Sequence, residues 1–193
     1  MTRSPASGRT YLPHRGSDGG RLVSTRPPEA LEESYLSEPI DDGDPNALIA
    51  ELREWNDGDG VGARSWIEMV GRYDLAVGYS LVFWPRFIRF DGYVLREEVF
   101  DEPNLRNWER TQPGKRQGIE ATINHLHVAD LHCNDETLTE GQARHLGRTL
   151  KATWTAKLQL DFPELVFVVA FNDEPGLDLV DYELTFWQAD TVT

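Results

Sequence analysis

The segment Leu138-Thr-Glu-Gly-Gln142 predicts the start of the helix around which the rest of the chain packs. Thr139 and Gln142 have the spacing of a capping box, in which a hydroxyl and an amide satisfy the first free backbone N–H groups of a helix. Apolar side chains then recur every three or four residues and form one stripe, which consists of Ala143, Leu146, Leu150, Trp154 and Leu158. We predict that this helix ends near Gln159, before Pro163.

Two β-prone runs follow this helix. Residues 165–171 (LVFVVAF) are branched, aromatic and apolar, and they predict a central strand. Residues 182–187 alternate between apolar and polar side chains, which predicts a half-buried strand paired with the first. Trp187 falls on the wetter side of this second strand, with Glu183 and Thr185. An exposed Trp at that position would suit a protein interface.

The composition of the 193 residues is that of a globular domain, with 39% hydrophobic residues, six Trp and eight Phe. The longest uncharged apolar stretch, residues 75–84, is about half as long as a membrane span requires. We therefore expect no insertion into a membrane. Cys133 is the single cysteine, so it excludes an internal disulfide and favours a reducing compartment. The sequence shows no secretory signal pattern, and we expect a cytoplasmic, bacterial protein.

The net charge of −14 argues against nucleic acid as a direct ligand, because phosphate binding depends on clustered Lys and Arg. The charge is uneven, since residues 29–59 contain eleven acidic residues and one basic residue. Residues 1–43 have little apolar periodicity and predict a flexible, largely disordered tail with an acidic segment. Residues 44–190 predict a single α+β domain in which about four helices pack on one face of a small, mostly antiparallel sheet.

The first part of this domain is predicted to be helical. Asp44 predicts the cap of a helix that begins with Pro45 and ends at Asn56. Ser65 predicts the cap of a second helix. Residues 75–84 predict either a buried helix or a core strand, because a short apolar run has no usable period.

The middle of the chain predicts three further segments. Residues 87–96 predict a β-hairpin, because two β-prone runs flank an Asp-Gly dipeptide that suits a tight turn. Residues 97–115 predict an irregular polar segment anchored by Leu105 and Trp108. Residues 117–131 predict a helix with one apolar side.

His125, His127 and His132 lie within eight residues and are candidate metal ligands. On the predicted helix, side chains two residues apart point roughly 200° away from each other, and His125 and His132 are separated by about 10 Å. We therefore expect these histidines to serve the fold or the surface. The alternative is a metal site, in which they would act with a carboxylate such as Asp130 or Asp161.

The glycine- and aspartate-rich loop that begins at Asp57 nearly fits a calcium-binding loop. Asp57, Asp59 and Glu68 occupy positions one, three and twelve of that pattern. Val61 at position five offers no side-chain oxygen, and Arg64 adds a positive charge beside the ion. We interpret this segment as a connection between helices and keep calcium as the alternative.

The sequence predicts a non-enzymatic, acidic protein-binding module, of the kind that serves as an immunity protein or an inhibitor, that docks a basic protein partner. The residues predicted to contact the partner are Glu32, Glu33, Asp41, Asp42, Asp44 and Trp187. No catalytic residue and no cofactor are predicted. One alternative is a small metal-dependent hydrolase that uses the three histidines. The other is a structural or assembly subunit whose exposed aromatic side chains become buried on oligomerisation. The sequence leaves the oligomeric state open.

Overall fold

The computed structural model describes residues 44–132 and 137–190, and the predicted tail of residues 1–43 and Cys133 lie outside these ranges. The described residues form five α-helices: α1 Ala63–Val70, α2 Tyr73–Phe83, α3 Glu102–Thr111, α4 Arg116–Ile123 and α5 Glu140–Asp161. They also form five strands: β1 Phe87–Phe90, β2 Tyr93–Arg96, β3 Leu126–His127, β4 Phe167–Phe171 and β5 Glu183–Gln188. The predicted α+β class is confirmed. The strands form two antiparallel sheets, a β1–β2 hairpin and a sheet of order β3–β5–β4.

Helix α5 begins as the sequence predicts. Thr139 Oγ1 accepts from the backbone N–H of Gln142 at 3.3 Å, and Gln142 Oε1 accepts from the backbone N–H of Thr139 at 2.9 Å. The helix extends to Asp161, just before Pro163. The predicted apolar stripe includes the buried residues Ala143, Leu150, Trp154 and Leu158, which face the sheet.

Strands β4 and β5 pair with each other as predicted, with Val169 opposite Phe186. The prediction that residues 165–171 form a central strand is wrong, because β5 lies between β3 and β4 and leaves β4 at an edge. The apolar character of β4 has a different cause, since Val169 packs into the cluster that contains Trp154 of α5. Helix α5 therefore covers one face of β4 and buries Val169, while Val168 on the other face is exposed.

Helix α5 lies very close to β4 at Gly147. A Cβ built at this glycine would lie 2.0 Å from Cζ of Phe171, which is far inside van der Waals contact. Glycine in the middle of a helix is unfavourable by about 1 kcal/mol relative to alanine. Here it lets the Phe171 ring pack directly against the backbone of α5.

The β1–β2 hairpin of residues 87–96 is confirmed. Asp91 and Gly92 connect the strands with φ angles of 49° and 85°, the left-handed values of the tight turn that an Asp-Gly dipeptide predicts. Phe90 is paired with Tyr93 across the turn.

The prediction that residues 97–115 are irregular is wrong, because they contain α3. Asp101 caps this helix by accepting from the backbone N–H of Asn104 at 2.8 Å, and a proline occupies the first turn. Leu105 is fully buried and Trp108 packs against the same cluster, so both act as the predicted anchors.

The helix predicted for residues 117–131 ends early. Helix α4 stops at Ile123, and β3 follows, with Leu126 paired to Leu184 of β5. The chain then continues as a 3-10 helix, Val128–His132. Backbone hydrogen bonding to the sheet ends the helix, since Val128 N also donates to Tyr182 O at 2.9 Å.

Two buried side chains connect the two sheets, Glu120 of α4 and Asn124 directly after this helix. Glu120 Oε1 accepts from Val94 N of β2 at 2.9 Å, and Glu120 Oε2 accepts from Gln188 N of β5 at 2.8 Å. One turn further along, Asn124 Nδ2 donates to Val94 O at 3.0 Å and to Phe186 O at 3.3 Å. These side chains therefore satisfy backbone groups that a neighbouring strand would otherwise pair.

The first predicted helix of the domain is not an α-helix. Asp44 acts as the predicted cap, but two short 3-10 helices follow, Pro45–Leu48 and Ala50–Arg53. Leu48 O accepts from Gln142 Nε2 at 3.0 Å, so a side chain of α5 takes the carbonyl that a continuous helix would use.

The second predicted helix exists but starts elsewhere. Gly62 is the capping residue of α1, and Ser65 lies inside the helix, so the predicted role of Ser65 as the cap is wrong. Residues 75–84 belong mostly to α2, which settles the choice between helix and strand. The expectation that this segment is buried is wrong, because every residue from Tyr73 to Leu81 is exposed.

Candidate functional site

Most of the exposed large apolar side chains among the described residues lie on α1, α2 and the residue after α2. Nine large apolar side chains there are exposed, and we call them the α1–α2 surface: Ile67, Met69, Val70, Tyr73, Leu75, Val77, Tyr79, Leu81 and Trp84. Tyr73 is 93% exposed, Val77 61% and Leu81 58%. Large apolar areas exposed on soluble proteins often mark a binding site, and so many exposed apolar side chains on two consecutive helices make this segment the candidate site.

Helix α2 has the composition of a buried helix. Asp74, Gly78 and Ser80 are its only residues that are neither apolar nor aromatic. A helix that is hydrophobic on all sides belongs in a protein core or against another apolar body. The described residues leave Tyr73 to Leu81 exposed and cover only the C-terminal end of α2, where Val82 and Phe83 pack against the core.

The few polar groups on these helices bind each other. Arg72 Nε donates to Asp74 Oδ1 at 3.1 Å, and this hydrogen bond lowers the pKa of Asp74 below its usual value. Arg64 donates to Glu68 at 3.1 Å, one turn further along α1. Ser80 Oγ donates to the carbonyl of Val77, within α2 itself. The charges near the surface therefore balance locally.

Contacts with the rest of the fold hold the two helices at a few points. Trp154 Nε1 of α5 donates to Val82 O at 2.9 Å, near the C-terminal end of α2. Trp66 Nε1 of α1 donates to Glu51 Oε2 at 3.1 Å. The Tyr79 hydroxyl is hydrogen-bonded to His132 Nε2. These contacts fix the position of the surface on an ordered scaffold.

An acidic segment precedes α1. Residues 44–59 contain five exposed acidic side chains and one exposed basic one, Arg53, and the acidic ones are Asp44, Glu51, Glu54, Asp57 and Asp59. The side chain and backbone of Asn46 hydrogen-bond to Asp44 and lower its pKa, so it stays ionised well below neutral pH. The contact from Trp66 to Glu51 ties this acidic segment to α1.

Two of the residues predicted to contact a partner fall within the described chain. Asp44 is exposed at the start of the acidic segment. Trp187 is half-buried on β5, on the side of Glu183 and Thr185 as predicted, and it is paired with Val168. The other four, Glu32, Glu33, Asp41 and Asp42, lie outside the described residues.

His125 and His127 lie side by side, which the helical prediction did not allow. Their ring centroids are 4.9 Å apart at an interplanar angle of 88°, because the chain is extended here. His125 Nδ1 donates to Thr122 O at 2.8 Å, and His127 Nδ1 donates to Val180 O at 2.6 Å. Both rings are thus oriented by backbone carbonyls.

His132 has a different neighbour, the Tyr79 ring, whose centroid lies 5.6 Å away. The carboxylates proposed to act with the histidines are placed elsewhere, since Asp161 pairs with Lys157 and Asp130 is exposed. In the ranges 44–132 and 137–190, no group of three or more His, Cys, Asp and Glu could hold a metal ion. The described residues therefore lack the ligand set of the alternative hydrolase.

The same finding applies to the calcium alternative. Glu68, the expected bidentate ligand, accepts a hydrogen bond from Arg64 at 3.1 Å. Asp57 lies in a 3-10 turn with a φ of 56°, and Asp59 is exposed beyond it. This part of the chain connects Leu52 to α1, and Val61 N donates to Leu52 O at 2.9 Å.

The sequence interpretation missed the α1–α2 surface. Its signal was present, because residues 75–84 have no polar side to face water. We interpreted this as a sign of burial in the chain's own core, whereas the same composition also fits a helix that is covered by another molecule.

No known family model, curated protein or solved structure matches this chain. Within the described residues, no helix is long and apolar enough to cross a membrane.

Proposed function

We propose that this chain is a non-enzymatic, acidic protein-binding module that docks a basic protein partner on the α1–α2 surface. The single observation that carries the proposal is the exposure of nine large apolar side chains on this surface. Complete burial of a fully exposed Val, Leu, Ile or Met side chain is worth about 1.5–3 kcal/mol, and these partly exposed side chains would each contribute a part of that. A few of them are enough to supply the central contacts of a protein interface.

The composition of α2 favours a protein over a membrane as the occupant. Its 11 residues extend about 16 Å, roughly half of the hydrocarbon thickness of a bilayer. A helix that lies in the membrane interface carries Lys and Arg on its polar side, and α2 has neither.

The charge favours a different protein over a second copy of this chain. With a net charge of −14, two copies repel each other, whereas a basic partner is attracted. The acidic segment of residues 44–59 adjoins α1, so a partner with basic residues around an apolar centre would match both features. Complementary charge of this kind increases the rate of association and selects partners.

Immunity proteins and inhibitors of nucleic-acid-binding proteins act in this way, because their targets have basic surfaces. We propose a role of this class in the cytoplasm. An assembly subunit is the competing function, and it would use the same surface to bind copies of itself.

The proposal is tested by affinity capture from native cells with the full-length protein at low and high salt. The test variant carries Val77→Glu and Leu81→Glu on the α1–α2 surface. The matched control carries Leu160→Glu and Val180→Glu, which replace two equally exposed apolar side chains elsewhere. We expect a basic protein to bind the wild type and the control, to be lost with the test variant, and to dissociate at high salt.

Three results would contradict the proposal. The captured protein could bind the test variant as well as the control, or it could be acidic. Sedimentation could also show that the wild type forms a dimer that Val77→Glu and Leu81→Glu dissociate, which would support the assembly subunit instead.

A further inference from the structure

A cavity of about 560 Å³ lies between the 3-10 helix Pro45–Leu48, α2, the 3-10 helix Val128–His132 and the start of α5. Its apolar lining comes from several of these segments and includes Leu48, Ile49, Val128, Leu131, Leu138 and Leu146. Small-molecule sites have volumes of about 300–1,000 Å³, are mostly apolar and contain a few polar groups. The cavity has this size and this lining.

The lining restricts the charge of a ligand. Among the described residues around the cavity there is no Asp, Glu, Lys or Arg. A cation that leaves water for such a place loses its hydration without gaining a counter-charge from the described lining, which is strongly unfavourable. An anion gains a counter-charge there only if His132 or His145 is protonated. The cavity therefore favours an uncharged molecule.

One polar contact point remains available. The Tyr79 hydroxyl is hydrogen-bonded to His132 Nε2, and both residues line the cavity. A hydroxyl can take part in more than one hydrogen bond, so this one can also bind a ligand. Gln142 contributes less, because its amide already binds Leu48 O at 3.0 Å and Thr139 N at 2.9 Å.

We propose that this cavity binds a small uncharged molecule that is apolar over most of its surface and carries one hydroxyl or carbonyl group. The apolar body contacts the leucines of the cavity, and the polar group hydrogen-bonds to Tyr79 Oη. Of the nine residues of the α1–α2 surface, only Tyr79 lines this cavity. Val77 and Leu81, which are changed to test the docking, do not line it, so the two proposals are tested separately.

The test uses 2-naphthol, which is uncharged at pH 7 and has one hydroxyl, and compares it with naphthalene and 2-naphthoate. Binding to the full-length protein is followed by NMR through the histidine ring signals. We expect 2-naphthol to bind saturably and to shift the signals of His132 and His145, which line the cavity. The signals of His125 and His127, which do not line it, serve as internal controls.

The hydroxyl and the charge of the probe have separate expected effects. We expect naphthalene to bind about fivefold more weakly, as one hydrogen bond of about 1 kcal/mol predicts. Tyr79→Phe should lower the affinity of the protein for 2-naphthol to its affinity for naphthalene. We expect the anionic 2-naphthoate to bind more weakly than either.

Two alanines provide a matched pair of variants. Ala129→Phe places a ring in the cavity and should abolish binding of 2-naphthol, whereas Ala76→Phe on exposed α2 should leave it unchanged. The inference is overturned by equal affinity in both variants, by the absence of saturable binding, or by shifts of His125 and His127 without shifts of His132 and His145. Tighter binding of 2-naphthoate than of 2-naphthol would also overturn it.

Discussion

Removal of the Glu120 carboxylate tests the bridge between the two sheets. Glu120 is fully buried and accepts from Val94 N and Gln188 N, two backbone groups that no strand pairs. Glu120→Ala leaves both N–H groups buried without a partner, at about 1–3 kcal/mol each. We expect the free energy of unfolding to fall by about 3–5 kcal/mol. Glu120→Gln keeps one acceptor oxygen and should lower it by about 1–3 kcal/mol.

Urea unfolding followed by tryptophan fluorescence measures these changes, because the chain has six Trp. The matched control is Glu164→Ala, which removes an exposed carboxylate that pairs with Arg89 at 3.2 Å. That change should cost less than about 1 kcal/mol. If Glu120→Ala lowers the free energy of unfolding no more than Glu164→Ala does, the two sheets do not depend on Glu120, and this account of the fold is wrong.

Three further changes test other parts of the structure. Gly147→Ala should destabilise the protein by about 1–3 kcal/mol, because the new methyl group meets the Phe171 ring, although alanine has the better helix propensity. Thermal unfolding measures this change. Burial acts to raise the pKa of Asp173, but hydrogen bonds from two arginines of α5 outweigh it and lower the pKa below 3.8. The ionised Asp173 therefore stabilises the fold above about pH 4, and this contribution is lost as the pH falls through the folded-state pKa. The urea midpoint of Asp173→Asn should lie below that of the wild type at pH 7 and approach it at pH 3. Asp101→Ala should cost about 1 kcal/mol in urea unfolding, because it removes the cap of α3, and an unchanged midpoint would contradict that role.

The sequence predicts the parts of the fold that depend on neighbours in the chain. The capping box at Thr139 and the Asp91-Gly92 turn each specify their geometry within four residues, and both are present. The signals for α3 were equally local, since Asp101 precedes a proline and caps the helix. The polar composition of this segment outweighed them in our interpretation.

Long-range contacts explain the elements that the sequence did not predict. The early end of α4 depends on pairing of Leu126 with Leu184, 58 residues away. The break in the first predicted helix depends on Gln142, which binds Leu48 O from α5. A short window of sequence around either predicted helix does not contain Leu184 or Gln142. A prediction from helix propensity alone therefore makes both helices too long.

The candidate site was predicted only in part. The acidic segment was visible from composition, and Asp44 is exposed there. The α1–α2 surface was not predicted, because an apolar run gives no information about which molecule covers it. The histidines were expected to stay apart, but His132 lines the cavity, where the fold brings it to Tyr79.

The most direct test of the central claim replaces Val77 of the α1–α2 surface with a photo-crosslinking amino acid in the full-length protein, in native cells. The same replacement at Val180, which is equally exposed outside this surface, is the control. We predict that mass spectrometry finds an adduct with a basic protein from position 77 and none with that protein from position 180. Adducts only with residues 1–43 of the same chain, or only with a second copy, would contradict the claim.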